Sequence, residues 1–291
     1  MTVGICTDSN AQLPPDLAER YGVAVVPITV HVGDCEYLEG VDLGVDEFYA
    51  QLREDAVDVT TSHPSPGQFA LAYDELAERG CTQILSIHAS ADSSGTLNAA
   101  RLAAHSSPVP VRLVDSGTRS FGVSCCVWAA AEAIESGASL DAASSIAEAL
   151  APRIGSVFIV GALELVGSVR DPNSAAARFE RSVSDTSRFG LADEGIAVLS
   201  FRDGEVTIVD RVATAADAVN SMSALAVRWG DRLRVAVGTA DFAATPLSDA
   251  LAAAVGEAGS VAEVIRYRIG PSVGAYTGPG TVGCFMFPTA L

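Results

Sequence analysis

Through the first half of the chain, short apolar runs alternate with amphipathic stretches, the pattern of strands separated by helices. Val3 to Cys6 is apolar and ends in the polar triplet Thr7-Asp8-Ser9, and Pro15 to Tyr21 reads as a helix with proline in its first turn. Val23 to Val30 is rich in β-branched residues and reads as one strand, and Asp46 to Arg53 reads as a helix. The polar, proline-rich stretch Thr60 to Pro66 reads as a loop. An amphipathic helix over Gly67 to Arg79 follows it, with Phe69, Tyr73 and Leu76 at helical spacing. A strand at Gln83 to Ile87, a helix at Gly95 to Ala104, a strand at Val111 to Val114 and an alanine-rich helix at Phe121 to Glu135 complete this half. Such alternation predicts a doubly wound, mainly parallel sheet.

The rhythm changes in the second half. Strands are expected at Val157 to Val160, Ile196 to Phe201, Val206 to Val209, Arg234 to Val237, Val264 to Ile269 and Val282 to Phe287. Helices are expected over Ala215 to Arg228 and Pro246 to Ala258. The Asp203-Gly204 dipeptide is a tight-hairpin signal, so this sheet is expected to be mixed or antiparallel. With 291 residues, and about 150 per domain, two α/β domains are expected, 1–154 and 155–291.

Composition narrows the chemistry. The formal net charge is −18, and all 18 basic residues are arginine. Without lysine there is no Schiff base, no lysine general base and no phosphate loop of the Walker type. The acidic balance excludes a nucleic-acid partner and disfavours anionic membrane surfaces. Apolar residues form 49% of the chain and charged ones 19%, enough for a large core. The richest apolar stretch, Val123 to Ile134, contains Glu132 and is too short to span a bilayer, so no stable membrane insertion is expected. No secretory signal is visible at the start, and the six scattered cysteines fit neither a disulfide framework nor a zinc site. The expected location is cytoplasmic.

Four segments follow predicted strands, where ligands bind in open α/β sheets. Thr7-Asp8-Ser9 and Asp115-Ser116 read first as caps of orphan amides. Thr60 to Gly67 carries four hydroxyls beside two prolines and leads into a helix; Ser90 to Thr96 again places hydroxyls before a helix. Hydroxyls and amides without lysine suit a carboxylate better than a polyphosphate. The fourth segment, Ile269 to Gly283, holds five glycines and two prolines around Tyr276 and reads as a loop pressed against a neighbour. A serine hydrolase using Ser94 and His88, which follows a strand and is expected near Ser94, is the competing class. Against it, Gly122-Val-Ser124-Cys-Cys126 lacks the closing glycine of a nucleophile elbow. No histidine pair has the helical spacing of metal ligands.

Together these residues resemble the DegV family, the fatty-acid-binding subunits of bacterial fatty acid kinase, along essentially the whole chain. The resemblance is carried by Thr7-Asp-Ser9, Val25-Val-Pro27, Leu38-Glu-Gly-Val-Asp42, Glu47-Phe-Tyr49, Thr61-Ser-His-Pro-Ser-Pro-Gly67, Ser94-Gly-Thr96, Val114-Asp-Ser116 and Tyr276-Thr-Gly-Pro-Gly280. It implies a long-chain fatty acid buried between two α/β domains, its acyl chain in an apolar tunnel. The carboxylate would be presented to a separate dihydroxyacetone-kinase-like enzyme that phosphorylates it with ATP. On this resemblance Thr61, Ser62, Ser94, Gly95, Thr96 and Tyr276 bind the carboxylate, and the chain has no catalytic residue, cofactor or metal of its own. Two departures stand out. Many members have histidine where this chain has Tyr276. Leu163-Glu-Leu-Val-Gly-Ser-Val-Arg170 keeps the family's arginine but lacks its double glycine, so Arg170 is a candidate carboxylate or phosphate contact. A sensor whose lipid occupancy alters contacts with a regulatory protein is a third reading.

Overall fold

A computed structural model describes residues 2–54, 58–92, 94–161, 195–202 and 205–290. The chain divides into two compact units, Met1–Thr29 with Ser62–Arg153, and Val30–Thr61 with Ile154–Ala290. It leaves the first unit at Thr29, returns at Ser62 and leaves again at Arg153, where one cut near 154 was expected.

The first unit is built on four parallel strands, β1 (Val3–Asp8), β2 (Ala24–Val26), β6 (Gln83–His88) and β7 (Val111–Asp115), in the order β2-β1-β6-β7. The order reverses between β1 and β6, which makes their carboxyl ends the switch point of a doubly wound sheet. Helices α1 (Pro15–Tyr21), α3 (Pro66–Glu78), α4 (Thr96–Ala104), α5 (Phe121–Glu135) and α6 (Leu140–Leu150) surround it. Phe69, Tyr73 and Leu76 of α3 pack with Cys6, Ile84 and the alanines of α4, so the helical spacing seen in the sequence does face the core. Helix α5 buries Phe121 through Trp128 without a break. Its Gly122, Ser124, Cys125 and Cys126 are small enough to be enclosed on all sides.

The second unit contains a six-stranded mixed sheet, β10-β9-β8-β13-β11-β12. These are β8 (Gly155–Ile159), β9 (Ile196–Arg202), β10 (Glu205–Val212), β11 (Leu233–Thr239), β12 (Val261–Arg268) and β13 (Val282–Pro288). Only β11 and β12 run parallel; the other neighbours are antiparallel. Arg202 pairs with Glu205 across the β9–β10 hairpin, as expected, while Asp203-Gly204 lies outside the described residues. Helices α7 (Ala215–Val227) and α8 (Thr245–Gly256) supply Met222, Leu251 and Val255 to its core. A three-stranded sheet, β4-β3-β5, also belongs here, formed by β3 (Thr29–Val32), β4 (Cys35–Leu38) and β5 (Val59–Ser62). Two short helices, α2 (Val45–Glu54) and α9 (Pro271–Thr277), also lie in this unit. The α/β class, with a parallel sheet in one half and a mixed sheet in the other, is therefore as expected.

Three local readings are corrected and two elements are added. Val23 to Val30 is two strands rather than one: Pro27 has no N–H for a ladder, and the Ile28 N–H donates to Ser9 Oγ at 2.9 Å. The stretch after Asp58 is strand rather than loop up to Ser62, because its β-branched Val59, Thr60 and Thr61 favour extended backbone. Part of the glycine-rich stretch around Tyr276 is the helix α9, started by Pro271 and stopped at Gly278, whose φ is 72°. Helix α6 and strand β4 were not anticipated; Ser139 caps α6 by accepting the Ala142 N–H at 3.2 Å.

Candidate functional site

At the switch point the carboxyl ends of β1 and β6 are bridged by side chains. His88 Nδ1 lies 2.7 Å from Asp8 Oδ2, and His88 Nε2 lies 2.7 Å from Ser86 Oγ. Ser86 Oγ in turn lies 2.9 Å from Tyr73 Oη. All four residues are buried. The donors can be ordered so that none is left over. Tyr73 donates to Ser86, Ser86 to His88 Nε2, and His88 Nδ1–H to Asp8. Asp8 Oδ1 also accepts the Asn10 N–H at 3.1 Å, capping the short turn Ser9–Ala11. Burial pushes the Tyr73 phenol upward, which keeps it a donor. Phe69 closes over the imidazole edge-on, 5.0 Å between ring centres.

This chain of contacts escaped sequence reading, although a signal was present. Ser86 and His88 are two apart on one strand and so share a face, and both interrupt an apolar run. The arrangement contains a serine, a histidine and an aspartate in contact, yet the serine is sealed from solvent. Both His88 nitrogens are engaged by Asp8 and Ser86, so the Ser94–His88 pair of the competing hydrolase reading is not formed.

The Ser94-Gly95-Thr96 segment stands at the start of α4 in the same unit. Ser94 Oγ accepts the Thr96 N–H at 3.2 Å and lies 2.8 Å from Thr96 Oγ1. Thr96 is 1% exposed, and either hydroxyl can donate in its contact with Ser94. Ser62 is exposed, at the end of β5.

In the second unit, Thr61 Oγ1 and Tyr276 Oη form a short hydrogen bond. Helix α9 holds Tyr276 in place through contacts within that unit. Glu39 accepts the Ser272 N–H at 2.9 Å, and the Tyr49 hydroxyl donates to the Ile269 carbonyl at 3.0 Å. Burial, helped by the nearby Asp241 charge, pushes the Tyr49 phenol upward, so it stays protonated in that role. Gly274 leaves room for Phe48 and Tyr49: a Cβ there would lie 2.9 Å from Phe48 Cε1. The expectation that these glycines are pressed against a neighbour is met at Gly274. Arg170 lies outside the described residues.

Among the described residues no group of three His, Cys, Asp or Glu side chains is gathered as a metal site, and no helix is long and apolar enough to cross a membrane. The six cysteines form no disulfide. Burial pushes the Cys6, Cys126 and Cys284 thiols up to about 12, which makes them inert packing groups.

A doubly wound unit with hydroxyl-bearing strand ends, joined in one chain to a mixed-sheet unit with its own hydroxyl pair, defines a two-unit α/β protein equipped with neutral hydrogen-bond donors. The chain belongs to the DegV family, whose family model matches residues 2–167. A DegV domain-containing protein of Streptomyces coelicolor is 34% identical over 282 residues, covering 97% of this chain and 96% of that protein. One from Mycobacterium tuberculosis is 30% identical over 288 residues, covering 97% and 96%. Among solved structures, a fatty-acid-binding DegV family protein from Thermus thermophilus superposes with a TM-score of 0.86 at 29% identity, covering 99% of this chain and 100% of that one. DegV of Bacillus subtilis, itself a fatty acid binding protein, shares the fold with a TM-score of 0.82 at 22% identity, covering 99% and 100%.

Proposed function

We propose that this protein binds a long-chain fatty acid and presents its carboxylate to a separate, dihydroxyacetone-kinase-like enzyme that uses ATP to form an acyl phosphate. The observation that carries the binding half is the pairing of hydroxyls, Ser94 with Thr96 and Thr61 with Tyr276, where Thr61 and Ser94 stand in segments that resemble the family's carboxylate-binding motifs. The fatty-acid-binding relative from Thermus thermophilus supports the same ligand class. In this reading Thr61, Ser62, Ser94, Gly95, Thr96 and Tyr276 hold the carboxylate, and Arg170 is a further contact for carboxylate or phosphate. The chain contributes no catalytic group; the kinase supplies the nucleotide chemistry.

The energetics fit neutral donors. Burying about 15 methylenes is worth about 0.8 kcal/mol each, or about 12 kcal/mol before the costs of ordering the chain. Affinity then resides in the acyl chain, and the polar groups set orientation and keep the carboxylate hydrogen-bonded. Phenol and hydroxyl groups supply those hydrogen bonds without charge of their own.

Native mass spectrometry of freshly purified protein, followed by denaturing extraction, tests the first half of the proposal. One fatty acid per chain is expected. Protein that is empty and also takes up no added palmitic acid refutes it. The second half is tested by adding ATP and a cognate kinase to the loaded protein; acyl phosphate is expected, and its absence removes the presenting role while leaving the binding role intact.

A further inference from the structure

Strands β11 and β12 run parallel, with Thr239 beside Arg268 at their carboxyl ends, so the residues that follow them emerge side by side. After β11 comes one short turn, Phe242–Ala244, which Asp241 caps by accepting the Ala244 N–H at 3.0 Å. Phe242 heads that turn and is 69% exposed; of the large exposed apolar side chains among the described residues it is the only aromatic one. The ring is nonetheless held. The Arg268 guanidinium lies over it, 5.4 Å from its centre. That guanidinium is itself tethered, donating from Nη2 to Asp46 Oδ1 on α2 at 2.6 Å and to the Ala240 carbonyl at 3.1 Å. Single apolar residues are ordinary on a surface. A ring on a capped turn, laid against a tethered cation, differs from these: it has little freedom left to lose when a partner covers it.

A second exposed apolar residue belongs to the same neighbourhood. Val41, also 69% exposed, sits in a turn whose Val41 and Asp42 N–H groups donate to the Leu38 carbonyl. Glu39 of that turn accepts the Ser272 N–H at 2.9 Å. Asp46 and Glu39 therefore tie the surroundings of both apolar side chains to residues 268–272, which lead directly into α9 and Tyr276. The setting is acidic. Asp42, Asp46 and Glu47 are all exposed; Arg268 offsets Asp46, and Asp42 and Glu47 add negative charge, in a chain whose net charge is −18.

We infer that Phe242 and Val41 are the apolar anchors of the surface on which the kinase docks, received by an apolar hollow of that enzyme rimmed with arginine or lysine. The inference rests on the presenting role proposed above and names the surface that role requires. A standard interface covers about 800 Å² of each partner and is about 30 Å across. Tyr276 stands on the helix that begins just beyond Arg268. An enzyme that reaches a carboxylate held at Tyr276 therefore covers this strand end as well. The held aromatic ring supplies affinity, and the acidic rim speeds encounter with a basic partner.

The test is acyl phosphate formation from ATP by the cognate kinase, with the palmitic-acid-loaded full chain as the varied substrate. Phe242→Ala is expected to raise KM for the loaded protein about ten- to thirtyfold and to leave kcat within about twofold. Phe242→Tyr, which keeps the ring, stays within about threefold of wild type, and Val41→Ala raises KM about three- to fivefold. Glu47→Gln slows association and flattens its dependence on salt. Palmitic acid affinity, read by displacement of a fluorescent acyl probe, and the melting temperature are expected to hold in every variant. If Phe242→Ala melts early, Val41→Ala and Glu47→Gln decide, and unchanged kinetics in both overturn the inference. An unchanged KM in folded Phe242→Ala overturns it and leaves the presenting role standing. So does an equal loss of palmitic acid affinity, which would assign the ring to the ligand. A wild-type dimer that Phe242→Ala dissociates without changing KM gives the patch to a second copy and also overturns it. Wild-type protein that binds palmitic acid yet yields no acyl phosphate overturns the presenting role and the inference together.

Discussion

The buried contacts at the switch point allow a sharp stability test in Asp8→Ala. Asp8 Oδ1 caps the turn at Ser9–Ala11, and loss of such a cap costs about 1 kcal/mol. Asp8 Oδ2 accepts from His88 Nδ1 at 2.7 Å, with both residues buried. Removing it orphans a buried N–H donor, which costs about 1–3 kcal/mol. The two losses affect different oxygens of one carboxylate, so they add, and the variant should lose about 2–4 kcal/mol. Asp8→Asn retains an acceptor and a good cap residue, so its loss should stay nearer 1 kcal/mol. The assay is equilibrium urea unfolding read by tryptophan fluorescence. Trp128 stands on α5 of the first unit, and Trp229 lies in the second. In a Trp229→Phe background, Trp128 alone reports the unit in which Asp8 lies. This matters because two-unit proteins need not unfold in one step. A loss below about 0.5 kcal/mol for Asp8→Ala, or equal losses for the alanine and asparagine variants, would refute the assignment of these hydrogen bonds.

Three further outcomes are expected. In an Ellman titration of native protein at pH 8, exposed Cys35 should react first and half-buried Cys81 more slowly, whereas Cys6, Cys126 and Cys284 should react only after denaturation. The same buried thiols make the protein weaker in alkali. They ionise near 9 when unfolded and near 12 when folded, so unfolding releases protons, and each removes about 1.4 kcal/mol per pH unit as pH rises across that window; a melting temperature that is flat from pH 9 to 11 would contradict it. Gly274→Ala crowds Phe48 and Tyr49 against α9 and should destabilise the second unit by about 1–3 kcal/mol, seen in Trp229 fluorescence. Under the proposed function it should also weaken palmitic acid by displacing Tyr276, and Tyr276→Phe should weaken it about fivefold with the fold intact, the value of one neutral hydrogen bond.

Much of the secondary structure was legible because it rests on short-range patterns. Helices at Pro15–Tyr21 and Phe121–Glu135 have the bounds read from the sequence, since proline at a first turn and a long apolar, alanine-rich run leave little choice. Readings failed where a partner far along the chain decides. Val23 to Val30 looks continuous, but its first part pairs with β1 and its second part joins a different sheet. The stretch around Tyr276 has a loop's composition, yet Glu39, Phe48 and Tyr49 hold part of it as a helix.

The candidate site divides in the same way. Its hydroxyls were visible in the sequence as motifs, because short polar segments after apolar strands stand out in one dimension, and the family resemblance gave them an order. The role of His88 was not visible. Whether an imidazole is sealed in a core depends on which strands are neighbours, and spacing along the chain does not carry that. His88 sits beside Asp8, 80 positions away, because β1 and β6 are adjacent in the sheet. Composition and periodicity were enough for the α/β class, the absence of lysine chemistry and the mixed second sheet, since each depends on residue type or local order alone. The long-range pairing of strands set the division into units and sealed His88 beside Asp8.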